Sequence, residues 1–229
     1  MNELELTGRA RTHVITLENP RCALHYEVVA AFLAMRDAAA AAGIAMEAAS
    51  SFRDFDQQVA IWNAKWCGER ALLGRQGQAL AFDALSEPQK LDAILTWSAI
   101  PGGSRHHWGS DIDVLDRATL PQGYKVQLLP EEYLEGGLFA SLSRWLDANM
   151  HRFGFFRPFR KDRGGVSPEP WHLSYAPVAL PALEQLELTV LRRAIEASAL
   201  ACKAQVLARL PEIYTRFILA IDVPAARST

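Results

Sequence analysis

Two short segments hold most of the residues in this chain that could do chemistry. The first is Ser104-Arg105-His106-His107-Trp108-Gly109-Ser110-Asp111-Ile112-Asp113. The second, far downstream, is Glu169-Pro170-Trp171-His172. Two imidazoles and one carboxylate make a ligand set for Zn²⁺ that leaves a further position for water. Zinc so held lowers the pKa of that water from about 15.7 towards about 7, giving a nucleophile at neutral pH. Glu169 precedes His172 by a short step, so it can stand beside a metal without being spent on it, as a general base must. Together these residues read as a metallohydrolase site. No His-Glu-x-x-His helix is present, which excludes the zinc-protease architecture built on one.

Several positions have competitors. His106 and His107 compete for one ligand place. Asp111 and Asp113 fall on the same side of a short strand, because strand side chains alternate with a period of two. Whichever is not a ligand is free to accept the second N–H of a ligating imidazole. Trp171 reads as core packing beneath the site. His13, His25 and His151 read as structural or surface histidines.

Read as Ser-x-His-x-x-Gly-x-x-x-Asp and Glu-x-Trp-His, the two segments resemble the zinc metallopeptidases that group lysostaphin, the D-Ala-D-Ala carboxypeptidases and hedgehog domains. The match is strongest to the D-alanyl-D-alanine carboxypeptidase branch. A third element agrees: Ser50-Ser51-Phe52-Arg53, with Gln58 beyond it, resembles the Ser-Gly-Tyr-Arg-(x)4-Gln of that branch, with Ser51 and Phe52 replacing Gly and Tyr. The matching elements extend over residues 25 to 177. The resemblance implies one Zn²⁺ per chain, held by His106, Asp113 and His172, with Glu169 as catalytic base. It gives Arg53 the reacting end of the peptide and its oxyanion, where a fixed guanidinium offers paired donors. Gln58 and Ser104 join Arg53 as candidates for holding the substrate carboxylate.

Bulk composition fits a compact enzyme. Of 229 residues, 50% are hydrophobic and 22% charged, and the net charge is −2, ordinary values for a globular chain. No Lys/Arg block suggests a nucleic-acid or anionic-membrane partner, and no apolar run is long enough to span a bilayer. Cys22, Cys67 and Cys202 are widely spaced and odd in number, which suggests reduced thiols rather than a disulfide framework. The start, Met1-Asn2-Glu3-Leu4-Glu5, is acidic and lacks an apolar signal core, so a cytoplasmic location is expected.

The elements that must position these residues read as α+β: a small antiparallel sheet carrying the zinc site, flanked by helices, with a C-terminal helical extension. Strands are expected at 11–17, at 44–49 (delivering Arg53 at its far end) and at 110–115. Helices are expected at 27–42, 54–66, 87–98 and 138–150, from apolar periodicity and from capping signals such as Gly43 and Pro88. A mobile loop over 160–168 should border the cleft. Residues 1–178 read as the catalytic domain. Residues 179–229 read as an added tail of two helices, 180–200 and 203–221, with Pro211 starting or kinking a helix. The tail packs on the domain or forms a dimer interface, so the chain is expected to be a monomer or a homodimer.

The resemblance implies peptidoglycan-derived peptides or muropeptides as substrates and removal of a C-terminal D-alanine. A cytoplasmic location favours L,D-carboxypeptidase action on tetrapeptides during wall recycling, since D,D-carboxypeptidase action on pentapeptides would consume the cell's own precursors. A lysin-type endopeptidase cutting between L-Ala and D-Glu, and a non-catalytic zinc-binding module, are the remaining alternatives.

Overall fold

The computed structural model describes residues 1–224. A short capped helix α1 (Glu3–Leu6) precedes a hairpin of β1 (Val14–Glu18) and β2 (Arg21–His25). Then come α2 (Val29–Ala41), β3 (Met46–Ser50), α3 (Phe55–Trp66), α4 (Glu87–Trp97) and β4 (Asp111–Asp116). They are followed by α5 (Pro130–Tyr133), α6 (Ala140–Asn149), β5 (Phe155–Phe156), β6 (His172–Tyr175), α7 (Ala176–Gln185), α8 (Leu188–Glu196), α9 (Lys203–Ala208) and α10 (Leu210–Ile213). The main sheet is antiparallel, in the order β3-β4-β6-β5, and the β1–β2 hairpin is a second, separate sheet. The class is α+β, as expected from the sequence.

Strand β4 explains how the site is carried. In Asp111-Ile112-Asp113-Val114, successive side chains face opposite sides. Ile112 and Val114 turn into a core with Phe32 and Met35 of α2, Leu142 and Leu146 of α6, and Leu173 of β6. Asp111 and Asp113 are therefore on the other face, where the chemistry lies. A second core joins Trp62 of α3 and Leu91, Ile94 and Leu95 of α4 to Leu191, Ile195, Leu210, Ile213 and Ile218 of the tail.

Helix α3 starts sharply because Asp54 caps it. The Asp54 carboxylate accepts from Gln57 N at 2.7 Å, and the Gln57 side chain accepts from Asp54 N at 3.1 Å, a reciprocal capping box. This cap fixes where the chain leaves β3 and hence where Arg53 stands. Strand β2, not expected from the sequence, braces the same region: His25 N donates to Gly109 O at 2.9 Å, and Phe52 N donates to Ala23 O at 2.9 Å. Gly109 has φ +65°, and a Cβ there would stand 2.6 Å from His25 N. Both the left-handed backbone and the close approach require glycine.

The tail is more broken than its periodicity suggests. The expected 180–200 helix is two: α7 starts at once after β6 and ends at Gln185, and α8 begins after an extended Glu187. Pro181 lies inside α7 and removes a backbone donor there, while Leu186 turns fully into the core. The expected 203–221 helix is three pieces: α9, then α10 with Pro211 in its first turn, then a π-helical turn Tyr214–Leu219. Residues 225–229 of the expected tail lie outside the described residues. The 160–168 loop does border the cleft, but it is tied down. Asp222 accepts from Arg160 N and Lys161 N at 3.0 Å each and from Arg163, and Arg216 donates to Gly164 O.

Candidate metal centre and active-site cleft

The β4–β6 register sets Asp113 directly opposite His172. Side chains so paired have Cβ atoms about 5 Å apart. His106 arrives from a 3₁₀ turn (Arg105–Trp108) that ends at Gly109. One ligand atom from each of His106, Asp113 and His172 lies within 4.8 Å of the others. His106 Nε2 is 3.4 Å from Asp113 Oδ2, and His172 Nδ1 is 3.1 Å from Asp113 Oδ1.

The opposite ring nitrogens decide the tautomers. His106 Nδ1 lies 2.9 Å from Ser51 O. A carbonyl only accepts, so Nδ1 carries the proton and Nε2 turns its lone pair to the cluster. His172 Nε2 lies 2.9 Å from Asp111 Oδ1, which likewise places its proton on Nε2 and frees Nδ1 for the cluster. Asp113 Oδ1 is buried and has no hydrogen-bond partner. A buried acceptor facing lone pairs is costly unless a cation lies between them, so the donor set fits a metal such as zinc.

The electrostatics agree. Burial resists ionisation of Asp113, but His106 and His172 overcome it and hold the carboxyl far below the usual range. Burial also resists charge on His172, yet Asp111 and Asp113 pull positive charge towards the ring. The site thus asks for positive charge. Asp111 itself is held by Arg105 Nε at 2.8 Å and Ser110 Oγ at 2.5 Å, and Arg105 Nη2 continues to Ser174 Oγ at 2.6 Å. Arg105 lies inside the first segment, and its role becomes visible only once Asp111 and Ser174 are brought beside it.

Glu169 is buried in the same cleft, with Oε2 3.4 Å from His172 Nδ1. Burial, helped by Asp113, pushes its pKa up to about 8 against the pull of His172, Lys65 and Arg53. A carboxyl poised near neutrality suits proton transfer in both directions. Trp171 stacks on Trp97, ring centroids 6.2 Å apart, so it supports the Glu169–His172 segment from the core while also lining the cleft.

Arg53 lines the cleft, its guanidinium donating to Gln58 Oε1 at 2.8 Å and Ser50 Oγ at 3.0 Å. Gln58 is fully buried, its amide nitrogen spent on Ala99 O at 2.7 Å. The structure therefore puts Gln58 behind Arg53 and not on the cleft surface, in place of the substrate-carboxylate role expected for it. Ser104 lines the cleft beside His106. His107 turns away from the metal cluster and is completely buried. Gly102 N donates to its Nε2 at 3.0 Å, and its Nδ1 faces Arg53 O at 2.6 Å, so a neutral ring bolts the two motif loops together. Burial holds its pKa down at about 3.

The cleft walls include residues that the sequence reading did not single out. Lys65 comes from the last turn of α3 and Arg70 follows that helix, Trp97 and Ser98 close α4, and Phe217 and Ile218 come from the tail.

A family model for the VanY D-alanyl-D-alanine carboxypeptidases matches residues 21–178. This chain belongs to that family. The match spans β2 to the start of α7, and so contains the metal cluster, Glu169 and Arg53, while the cleft-wall residues Phe217 and Ile218 lie beyond it. An uncharacterised protein of Haemophilus influenzae is 36% identical over 126 residues, 54% of this chain and 96% of that protein. A D-alanyl-D-alanine carboxypeptidase of Enterococcus faecalis is 32% identical over 142 residues, 61% of this chain and 43% of the relative. Among solved structures, a mutant of the vancomycin-resistance D,D-pentapeptidase VanY from a VanB-type cassette, in complex with Zn(II), superposes with a TM-score of 0.52 at 27% identity. That alignment covers 76% of this chain and 83% of the VanY chain.

Proposed function

We propose that this chain is a zinc-dependent carboxypeptidase acting on peptidoglycan stem peptides. Its favoured reaction is L,D cleavage: release of terminal D-alanine from a tetrapeptide whose penultimate residue is a diamino acid. The observation that carries this reading is one cleft holding the metal-facing atoms of His106, Asp113 and His172, the buried Glu169 carboxylate and the Arg53 guanidinium. The family match supports the reaction class, and the Zn(II) in the VanY structure supports the metal.

When bound, zinc supplies Lewis acidity that polarises a carbonyl and acidifies water. Glu169 takes the proton of the attacking water and returns it to the departing amine. Arg53, aimed by Gln58 and Ser50, faces the charge that develops on the carbonyl oxygen. A preorganised donor of this kind contributes about 3–4 kcal/mol to a transition state. The departing D-alanine carboxylate is assigned to Arg53 and Ser104.

The L,D preference is supported by the polar side chains of Lys65, Arg70 and Gln127 that line the same cleft, groups to which the methyl of a second D-alanine has nothing to offer. Cytoplasmic recycling of wall tetrapeptides is the proposed setting, because trimming them leaves pentapeptide precursors intact.

The test is mass spectrometry of the zinc-loaded protein with tetrapeptide and pentapeptide muropeptides side by side, alongside the Glu169→Gln variant. Loss of one alanine from the tetrapeptide, abolished in Glu169→Gln with zinc content unchanged, is the expected result. Loss from the pentapeptide alone reverses the preference to D,D. Cleavage between L-Ala and D-Glu, or zinc lost in parallel with activity in Glu169→Gln, overturns the assignment.

A further inference from the structure

Among the described residues, Lys65 and Arg70 are cleft cations that the proposed mechanism leaves without a task, and Lys65 is the more buried of the two. It lies on α3, on the same helix face as Gln58. Seven residues of helix separate the two Cα positions by about 10 Å along the axis. Gln58 holds Arg53 at the metal end, so Lys65 stands further along the same cleft. Its ammonium donates to Ser98 Oγ at 2.6 Å and has no carboxylate within ion-pair distance among the described residues. Ser98 also lines the cleft, as does Arg70, which is exposed at the rim. Holding a half-buried ammonium with no carboxylate at contact distance is costly. Burial lowers its pKa to about 8, with Arg70 and Arg53 pushing the same way and Glu169 opposing. A cation kept there at such cost calls for an anion that arrives with the substrate.

We infer that Lys65, with Arg70 at the rim, forms a subsite for a carboxylate on the side chain of the residue preceding the scissile bond. The inference rests on the carboxypeptidase reading above and narrows its substrate to stem peptides bearing a diamino diacid, of the diaminopimelate type, at the penultimate position. The terminal carboxylate is the wrong candidate on distance. One extended residue spans about 3.5 Å, which keeps that group near Arg53 and Ser104. A long side chain on the other side of the scissile bond reaches further, and the peptide must leave the cleft by its open side. Lys65 to Arg70 runs from the wall to that open side. A second alanine before the scissile bond has no group to meet these cations, so the subsite also separates the L,D from the D,D substrate.

The experiment compares kcat/KM of the zinc-loaded protein on two tetrapeptides that differ only in the third residue, meso-diaminopimelate or L-lysine. They share every other group and differ by the side-chain carboxylate. The wild type is expected to favour the diaminopimelate peptide by about tenfold or more, the range of a charge-assisted hydrogen bond. Lys65→Met should bring the ratio near one, with the loss carried by KM and zinc content unchanged. Arg70→Gln, at an exposed position, should shift the ratio in the same direction by a smaller factor. An equal loss on both peptides would place Lys65 on the shared terminal carboxylate and overturn the inference, as would an unchanged ratio in both variants. Cleavage of neither tetrapeptide by the wild type would overturn the L,D reading on which the inference rests, and cleavage of the matching pentapeptide in the same assay would separate that from loss of carboxypeptidase activity.

Discussion

His172 lies between two carboxylates, with Nε2 2.9 Å from Asp111 Oδ1 and Nδ1 3.1 Å from Asp113 Oδ1. The two contacts have different meanings. Asp111 accepts a ring proton and fixes the tautomer, while Asp113 shares the metal-facing side. Partners behind a ligating imidazole orient the ring and raise its basicity, and their loss typically costs 10–100-fold in metal affinity. Asp111→Asn keeps the shape but makes the partner neutral and leaves Arg105 without its counter-charge. Zinc affinity is expected to fall by about 10–100-fold, measured by chelator competition. A zinc affinity equal to wild type would show that the ring is held by packing alone.

Gln58 acts on chemistry through Arg53. With its amide nitrogen bound to Ala99 O and its oxygen accepting from Arg53, it sets the direction of the guanidinium. Gln58→Leu fills a similar volume but leaves Arg53 held only by Ser50. The expected outcome is a fall in kcat of about tenfold, near the value of one hydrogen bond to a charged group, with zinc content unchanged. Stopped-time product analysis against metal content checks it. A change confined to KM would instead give Gln58 a share in ground-state binding.

The parts of this site legible in the sequence are those that follow from local rules. Alternation along β4 put Asp111 and Asp113 on one face, and the Asp54 cap placed the start of α3. The roles that escaped depend on depth and on partners distant in the chain. A lysine in the last turn of a helix, such as Lys65 in α3, reads as a solvated residue until the α4 end, with Ser98, meets it. Gln58 carries the same side chain whether it faces the cleft or the core; only the Ala99 carbonyl shows which. Strand β2 is hard to read in Arg21-Cys22-Ala23-Leu24-His25 because only Cys22 and Leu24 mark an inner face; their burial comes from a core shared with Phe32 and Met35. In the tail, apolar spacing suggested two long helices, but the demand to bury Leu186 and the positions of Pro181 and Pro211 divided them.

Asp222 shows how the tail reaches the cleft. Its carboxylate accepts from the backbone of Arg160 and Lys161 and from the Arg163 guanidinium, and Ile221 beside it packs on Phe159. Phe159 in turn sits edge-on to His172, centroids 5.2 Å apart. The Arg163 side chain is half exposed, so the ion pair itself adds little; the two backbone bonds hold the loop. Asp222→Ala should release the 160–165 segment while leaving the His106, Asp113 and His172 cluster intact. Two bonds of about 1 kcal/mol each correspond to a roughly tenfold or greater increase in local opening. Trypsin is then expected to cut after Arg160, Lys161 or Arg163 about tenfold faster than in wild type, with KM raised severalfold as the cleft wall loosens and zinc content unchanged. Equal cleavage rates in the two proteins would mean that Arg75 and Arg216, which both donate to Gly164 O, anchor the loop without help from Asp222.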